Sequence, residues 1–183
     1  MSSKVDSAKA MVHFWYKTKD IFDEVYNRTS WIGKHRLDGE GNNMIEPISF
    51  SKDEAHTLYK PFLKGAASEV YMAISSHNND LPRDYRTYAV DSNTDINDIT
   101  DSKDSVYFAI QSDGGDLHLM EAVDTAIYEA IINYIIWKWL LISNTPEAQK
   151  VYFPLYKDAM GQIKDGVRKL ACFAIGRVTR HLY

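Results

Sequence analysis

One apolar stretch, from about residue 117 to 143, constrains the fold of this chain more than any other feature. In its second half, from Ala130 to Ile142, only Asn133 and Lys138 interrupt a run of apolar residues. The run is shorter than the ~20 residues that a membrane-spanning helix needs, so we interpret it as a buried helix. A helix that is apolar on nearly every face is surrounded by other helices or covered by a neighbouring subunit.

Three further helices are predicted from apolar residues that recur every three or four positions. The first covers residues 3–29, and the second begins near Ser51 and ends around residues 77–79. Proline lacks an amide hydrogen and crowds the preceding turn, so Pro61 is expected to bend the second helix or to begin a new turn there. The last helix follows the segment Thr145-Pro146-Glu147, which has the residues of a helix start.

The segment from residue 85 to 110 has a different composition. Residues 85–90 and 106–110 are rich in aromatic and β-branched residues, which favour strands. Between them, residues 91–104 form a polar segment with five aspartates: Asp91, Asp95, Asp98, Asp101 and Asp104. We predict two short antiparallel strands joined by a long acidic loop. The predicted fold is therefore mainly α, a single domain of residues 1–183 built as a bundle of about four helices with an inserted β-hairpin.

Composition excludes several classes of protein. The 183 residues suit one domain, and the net charge of −4 argues against a protein whose main role is to bind phosphates. The one cysteine, Cys172, cannot form an internal disulfide. Residues 1–10 lack the apolar segment of a signal peptide. Neither secretion nor a membrane is predicted.

No motif in the sequence predicts catalysis. Asp91 to Asp95 imitates the start of a calcium loop, but Ile96 stands where that loop needs glycine and Ser102 where it needs glutamate. The histidines do not have the spacing of a helical zinc site, and neither a phosphate-binding loop nor a nucleophile elbow occurs. We therefore expect no catalytic residue, metal or cofactor. A cytoplasmic metal- or ligand-binding regulator that uses residues 91–104, and a hydrolase with dispersed residues, are the alternatives from other classes.

Two contact surfaces are predicted instead. The apolar run in the second half of the central helix exceeds what a small bundle can cover, so its residues are candidates for contacts between copies in a closed ring: Ile131, Ile135, Trp137 and Trp139. The C-terminal residues 170–183 combine apolar side chains with cations and are candidates for docking on a partner: Phe173, Arg177, Arg180, Leu182 and Tyr183. The alternative for this tail is a helix end that folds back on its own core.

Two parts of the sequence resemble a known family. Residues 124–139, the following Asn-Thr-Pro turn and residues 147–156 resemble the helical hairpin of head–tail connector (adaptor) proteins of tailed bacteriophages. In that hairpin an apolar, tyrosine-containing helix is followed by an aromatic-rich helix that opens with Glu-Ala, here Glu147-Ala148. Residues 21–75 are similar to structural proteins of phages of Bacteroidetes, including crAss-like phages.

The resemblance implies a non-enzymatic virion protein in the neck of the particle. Such connectors assemble in the cytoplasm of the host as a ring under the portal protein. They bind the portal partly through C-terminal segments, contact tail or other neck proteins, and lie close to the genomic double-stranded DNA without reading its sequence. A tail-completion or other tail structural protein is the alternative within the same class.

Overall fold

The computed structural model describes residues 10–51, 53–75, 105–112, 117–146 and 148–179. The prediction of a mainly helical bundle with four long helices is confirmed. In chain order the elements are β1 (Ala10–Lys17), α1 (Thr18–Lys34), the one-turn α2 (Ile45–Ile48), α3 (Asp53–Ser75), β2 (Ser105–Ser112), α4 (Leu117–Ile142), a π-helical turn (Ala148–Tyr152) and α5 (Phe153–Thr179).

Helix α4 is the central element. It contacts α1, α3, α5 and β1, so side chains around most of its circumference are buried, as its apolar sequence requires. By length and composition alone, His118–Ile142 would suffice to cross a membrane, and 56% of that apolar stretch is buried inside the protein. The core helix of a globular protein has the same properties, and the packing of α4 is of this kind.

The helix predicted for residues 3–29 is wrong at its N-terminal side. Residues 10–17 form the strand β1, and α1 begins only at Thr18. Phe14 and Tyr16 are buried while Trp15 and Lys17 are exposed, which is the alternation of a strand with one covered face. Val12 and Trp15 are three residues apart, as on one face of a helix, but they lie on opposite faces of the strand.

The strand predicted at residues 106–110 is present as β2, and among the described residues its partner is β1, a pairing that was not predicted. β2 pairs with β1 in an antiparallel register that runs from Ala10 opposite Ser112 to Lys17 opposite Ser105. The predicted hairpin partner, residues 85–90, and the acidic segment 91–104 lie outside the described residues. The buried face of the sheet contains Phe14, Tyr16, Val106, Phe108 and Ile110 and completes the core against the helices.

Helices α4 and α5 form an antiparallel hairpin. The rings of Trp137 and Phe153 lie 4.9 Å apart near its closed end. Towards its other end, Gly166 approaches Val123 so closely that an added Cβ would lie 2.3 Å from Val123 Cγ2. Between the helices, Thr145 is buried and its amide donates to the carbonyl of Leu140 at 2.9 Å. The helix predicted after Pro146 begins at Ala148 with the π-helical turn rather than with a regular α-helical turn.

Candidate functional surfaces

Three of the four predicted subunit-contact residues belong to the core of the chain itself. Ile131 and Ile135 are completely buried, and Trp139 is 2% exposed. The indole Nε1 of Trp139 donates to the carbonyl of Ile48 at 2.8 Å, and its ring meets that of Phe50 edge-on at 5.2 Å. These side chains are therefore not available to a second copy. The prediction was wrong for them because the α1 to α3 region of the same chain covers this side of α4.

Trp137, the fourth candidate, lies in a half-buried aromatic cluster between α4 and α5. Its ring stacks on Tyr156 at 5.9 Å and also contacts Tyr134 and Phe153. Lysine ammonium groups lie over the cluster: Lys138 Nζ is 4.2 Å from the centre of the Trp137 ring, and Lys157 Nζ is 5.5 Å from that of Phe153. Cation–π attraction stabilises both lysines at this position, so positive charge is fixed beside the aromatic rings.

Exposed apolar side chains are concentrated at the closed end of the hairpin. We call the side chains of Leu141, Ile142, Val151 and Leu155 the hairpin-end surface; their exposed fractions are 38%, 55%, 45% and 47%. Two are in the last turn of α4, and two are in the π-helical turn and the first turn of α5. Exposed apolar side chains grouped at one end of a helical hairpin are candidates for protein contact. Lys138, Lys150 and Lys157 lie at the same end of the hairpin.

Carboxylates are concentrated where α1 and α4 begin. We call Asp20, Glu24, Glu121 and Asp124 the acidic surface; Asp20, Glu121 and Asp124 are exposed, and Glu24 is partly exposed. The hydroxyl of Tyr16 donates to Asp124 Oδ1 at 2.5 Å, and its ring stacks on Tyr128 at 5.8 Å. Burial, together with the adjacent Asp124 carboxylate, raises the pKa of Tyr16 far above its ordinary value, so this phenol remains a neutral donor.

A charged pair joins α1 to α4 next to the acidic surface. The two terminal nitrogens of Arg28 donate to the two carboxylate oxygens of Glu129 at 2.8 and 2.7 Å, and Arg28 Nε donates to Glu24 at 2.6 Å. The hydrogen bonds from Arg28 lower the pKa of Glu129. Because both Glu129 oxygens accept from a cation, this carboxylate is unsuited to act as a general base, and the arrangement is structural.

Asn133 extends this polar group into the core. Its amide nitrogen donates to Glu129 Oε2 at 3.2 Å, and its side chain is 3% exposed. Its carbonyl oxygen Oδ1 is buried without a hydrogen-bond partner within the described structure. A single amide oxygen does not supply the converging donors that a cation site requires.

Within the described residues, no group of three or more histidine, cysteine, aspartate or glutamate side chains is arranged to hold a metal ion. The calcium-like segment 91–104 lies outside these residues. The absence of catalytic residues and of a cofactor stays a prediction.

The predicted docking tail is described only in part. Leu170 is completely buried, and α5 continues as a helix to Thr179, so the backbone of Phe173 and Arg177 belongs to that helix. Their side chains, and the residues Arg180, Leu182 and Tyr183, lie outside the described part of the chain. Docking by the tail stays a prediction.

Sequence reasoning missed the acidic surface and the Arg28–Glu129 pair. The spacing of Glu24 and Arg28, four residues apart in a helical pattern, is a signal for an ion pair within α1. A local pattern carries no signal for Glu129, because only the packing of α1 on α4 brings it to Arg28.

Comparison of this chain with protein-family models, with curated proteins and with solved structures finds no match.

Proposed function

We propose that this protein is a non-enzymatic structural component of a phage virion that forms a ring at the head–tail junction. In this role it links the portal protein to tail components and leaves a passage for DNA. The observation that carries the proposal is the hairpin-end surface, where four large apolar side chains are exposed at one end of the bundle. Such side chains gain free energy when another protein covers them.

The position of this surface agrees with the family resemblance. The resembling segments, residues 124–139 and 147–156, form most of α4 and the beginning of α5 in the structure. These segments also contain the aromatic cluster around Trp137 and two residues of the hairpin-end surface, Val151 and Leu155. The part of the chain that resembles phage connectors thus includes half of the surface that we propose as a contact.

The polar groups of the bundle support a structural role. Arg28 and Glu129 hold α1 on α4, and Tyr16 ties β1 to Asp124. These groups hold elements of the same chain together. A rigid bundle with a fixed contact surface is suited to assembly, because little side-chain and backbone freedom is lost on binding. The partners of the proposal are other copies of the chain, the portal protein and tail or neck proteins.

The proposal is tested in particles assembled with altered copies of the protein. In the double variant Val151→Glu and Leu155→Glu, two of the four exposed apolar side chains become charged without any change in the core. Leu37→Glu is the matched control, because Leu37 is also exposed (64%) but lies in the loop after α1. Circular dichroism establishes that each variant is folded. Quantitative mass spectrometry of purified particles then measures copies per particle.

We expect several copies per particle for the original protein and for Leu37→Glu, and few or none for the double variant. Absence of the original protein from particles would overturn the proposal, as would a single copy per particle. Normal incorporation of the folded double variant would show that the hairpin-end surface is not the contact.

A further inference from the structure

We infer that the hairpin-end surface of one copy docks on the acidic surface of the next copy, so that the contact between copies is head-to-tail. This inference rests on the proposed function, since it names the partner of the same surface. It is carried by the opposite charge of the two surfaces and by their positions on the bundle.

Most of the acidic surface lies towards the start of α4, whereas the hairpin-end surface lies at its end. Glu24 is the exception, because its partner Arg28 pairs with Glu129 near the middle of α4. Glu121 and Asp124 are in its first turns, whereas Lys138, Leu141 and Ile142 are in its last turns. At about 1.5 Å per residue, the 26 residues of α4 span ~39 Å. Asp124 and Leu141, which are 17 residues apart, are separated by ~26 Å along the helix, so these parts of the two surfaces do not contact each other within one copy.

The charges of the two surfaces are complementary. Three lysines, Lys138, Lys150 and Lys157, lie at the hairpin end. Two carboxylates among the described residues lie near them: Asp158, and Glu69 of α3, which accepts a hydrogen bond from Tyr156. Positive charge thus exceeds negative charge among the described residues of that end. The acidic surface has four carboxylates: Asp20, Glu24, Glu121 and Asp124. The nearby cations are Arg28, which pairs with Glu24, together with Lys17 and Lys19, and Lys19 pairs with Asp23. His118 lies 3.7 Å from Glu121. Negative charge therefore predominates there.

Apolar and charged groups contribute differently to the proposed contact. The apolar side chains of the hairpin-end surface provide the apolar area that the contact buries. On the acidic surface of the next copy they would pack on small or flat groups, the exposed Ala122 and the half-buried Tyr128. The flanking charges fix the orientation and disfavour the meeting of two like ends. A contact between two different surfaces of the same chain is heterologous, and it closes into a ring when the rotation between copies allows.

Charge reversal on each surface in turn tests the inference. One double variant carries Lys150→Glu and Lys157→Glu, and the other carries Asp20→Lys and Glu121→Lys. Asp124 is left intact because it accepts the hydrogen bond from Tyr16. Lys164→Glu is the control, because Lys164 is an exposed cation of the same helix about two turns beyond Lys157. Sedimentation velocity over a range of protein concentrations, at low and high salt, measures the association.

We expect the original protein and Lys164→Glu to associate, more weakly at high salt because the charges are exposed. Each double variant alone should associate at least about tenfold more weakly, since like charges then meet at every contact. An equimolar mixture of the two variants should regain association, because each supplies the intact surface that the other lacks.

Three results would overturn the inference: an original protein that stays monomeric at every concentration, a mixture no better than its components, or association lost only through the lysine changes. The last result indicates contact between two hairpin ends. The proposed function is tested separately, by measuring the number of copies in purified particles. If both charge-reversed variants enter particles in normal copy number, the head-to-tail contact is wrong but the virion role stands. If the original protein is absent from particles, the virion role fails whatever the association in solution.

Discussion

Arg28 and Glu129 join α1 to α4 through two parallel hydrogen bonds of 2.8 and 2.7 Å. Both side chains are about one-third exposed, and Asn133 and Glu24 complete their hydrogen bonding. This pair connects the beginning of the chain to its central helix beside the surface that we assign to contact between copies. Its geometry fixes the relative position of the helices that form the acidic surface.

Replacing Arg28 by Ala should lower the free energy of unfolding by about 1–3 kcal/mol. The change leaves the half-buried Glu129 carboxylate without its cationic partner. Urea denaturation followed by circular dichroism measures the difference. Lys19→Ala is the matched control, because Lys19 and Asp23 form an exposed pair within α1, and such pairs contribute about 0–1 kcal/mol. Equal effects of the two substitutions would contradict the assigned role of Arg28.

The Arg28–Glu129 pair should also make stability depend on pH in the acid range. Its hydrogen bonds lower the pKa of Glu129 in the folded protein below the ordinary value of 4.5. The unfolded chain then binds more protons as the pH falls through this window, so the unfolding free energy decreases with acidification. Urea titrations at several pH values between 7 and 3 should show a shallower decrease for Glu129→Gln than for the original protein. Parallel curves would show that Glu129 does not contribute to the pH dependence.

Trp139→Phe should cost about 2–4 kcal/mol of stability. The smaller ring leaves a void in a fully packed core, and the carbonyl of Ile48 loses its buried donor. Trp31→Phe is the control, since Trp31 is 64% exposed and packs only on His35 among the ring contacts described. Measuring both the unfolding free energy and the assembly of the variant separates the two roles considered for Trp139, as a core residue or as a contact residue between copies. A stable variant that fails only in assembly would restore Trp139 as a contact residue.

Gly33→Ala should destabilise the protein, whereas Gly161→Ala should stabilise it. A Cβ on Gly33 would lie 2.7 Å from the backbone of Met44 and Ile45, so α2 and the loop before it would have to shift. A Cβ on Gly161 meets no atom within 4 Å, and alanine in a helix interior is favoured over glycine by about 0.5–1 kcal/mol. Thermal unfolding of both variants tests the pair, and a melting temperature raised by Gly33→Ala would contradict the close approach of α1 and α2.

The helices with long and strongly apolar stripes were predictable from the sequence. For α4 the predicted span of about 117 to 143 agrees with Leu117–Ile142, because an apolar run of that length has few alternatives. For α3 the observed span is Asp53–Ser75, and the helix continues through the exposed Pro61. Proline was predicted to bend the helix or to begin a new turn there; the helix is a single element through Pro61, and the bend stays a prediction.

The strand β1 and the contact surfaces were not predictable in the same way. Over residues 10–17 the sequence fits both a helical and a strand pattern, and the choice is decided by pairing with β2, far along the chain. The burial of Ile131, Ile135 and Trp139 likewise depends on elements distant in sequence. A strongly apolar segment predicts that its side chains are buried. Whether they are buried by the same chain or by another copy depends on the fold.

The pairing of β1 with β2 has a consequence for how the protein reaches its native state. β1 emerges from the ribosome well before its partner strand, with α1, α2 and α3 synthesised in between. Until Ser105–Ser112 has emerged, this run of eight residues with three aromatic side chains lacks the strand with which it pairs in the described part of the chain. Pairing over so long a loop is entropically slow, which extends the time during which the nascent chain is open to non-native pairing. Formation of the β1–β2 sheet therefore has to wait until most of the chain has been synthesised.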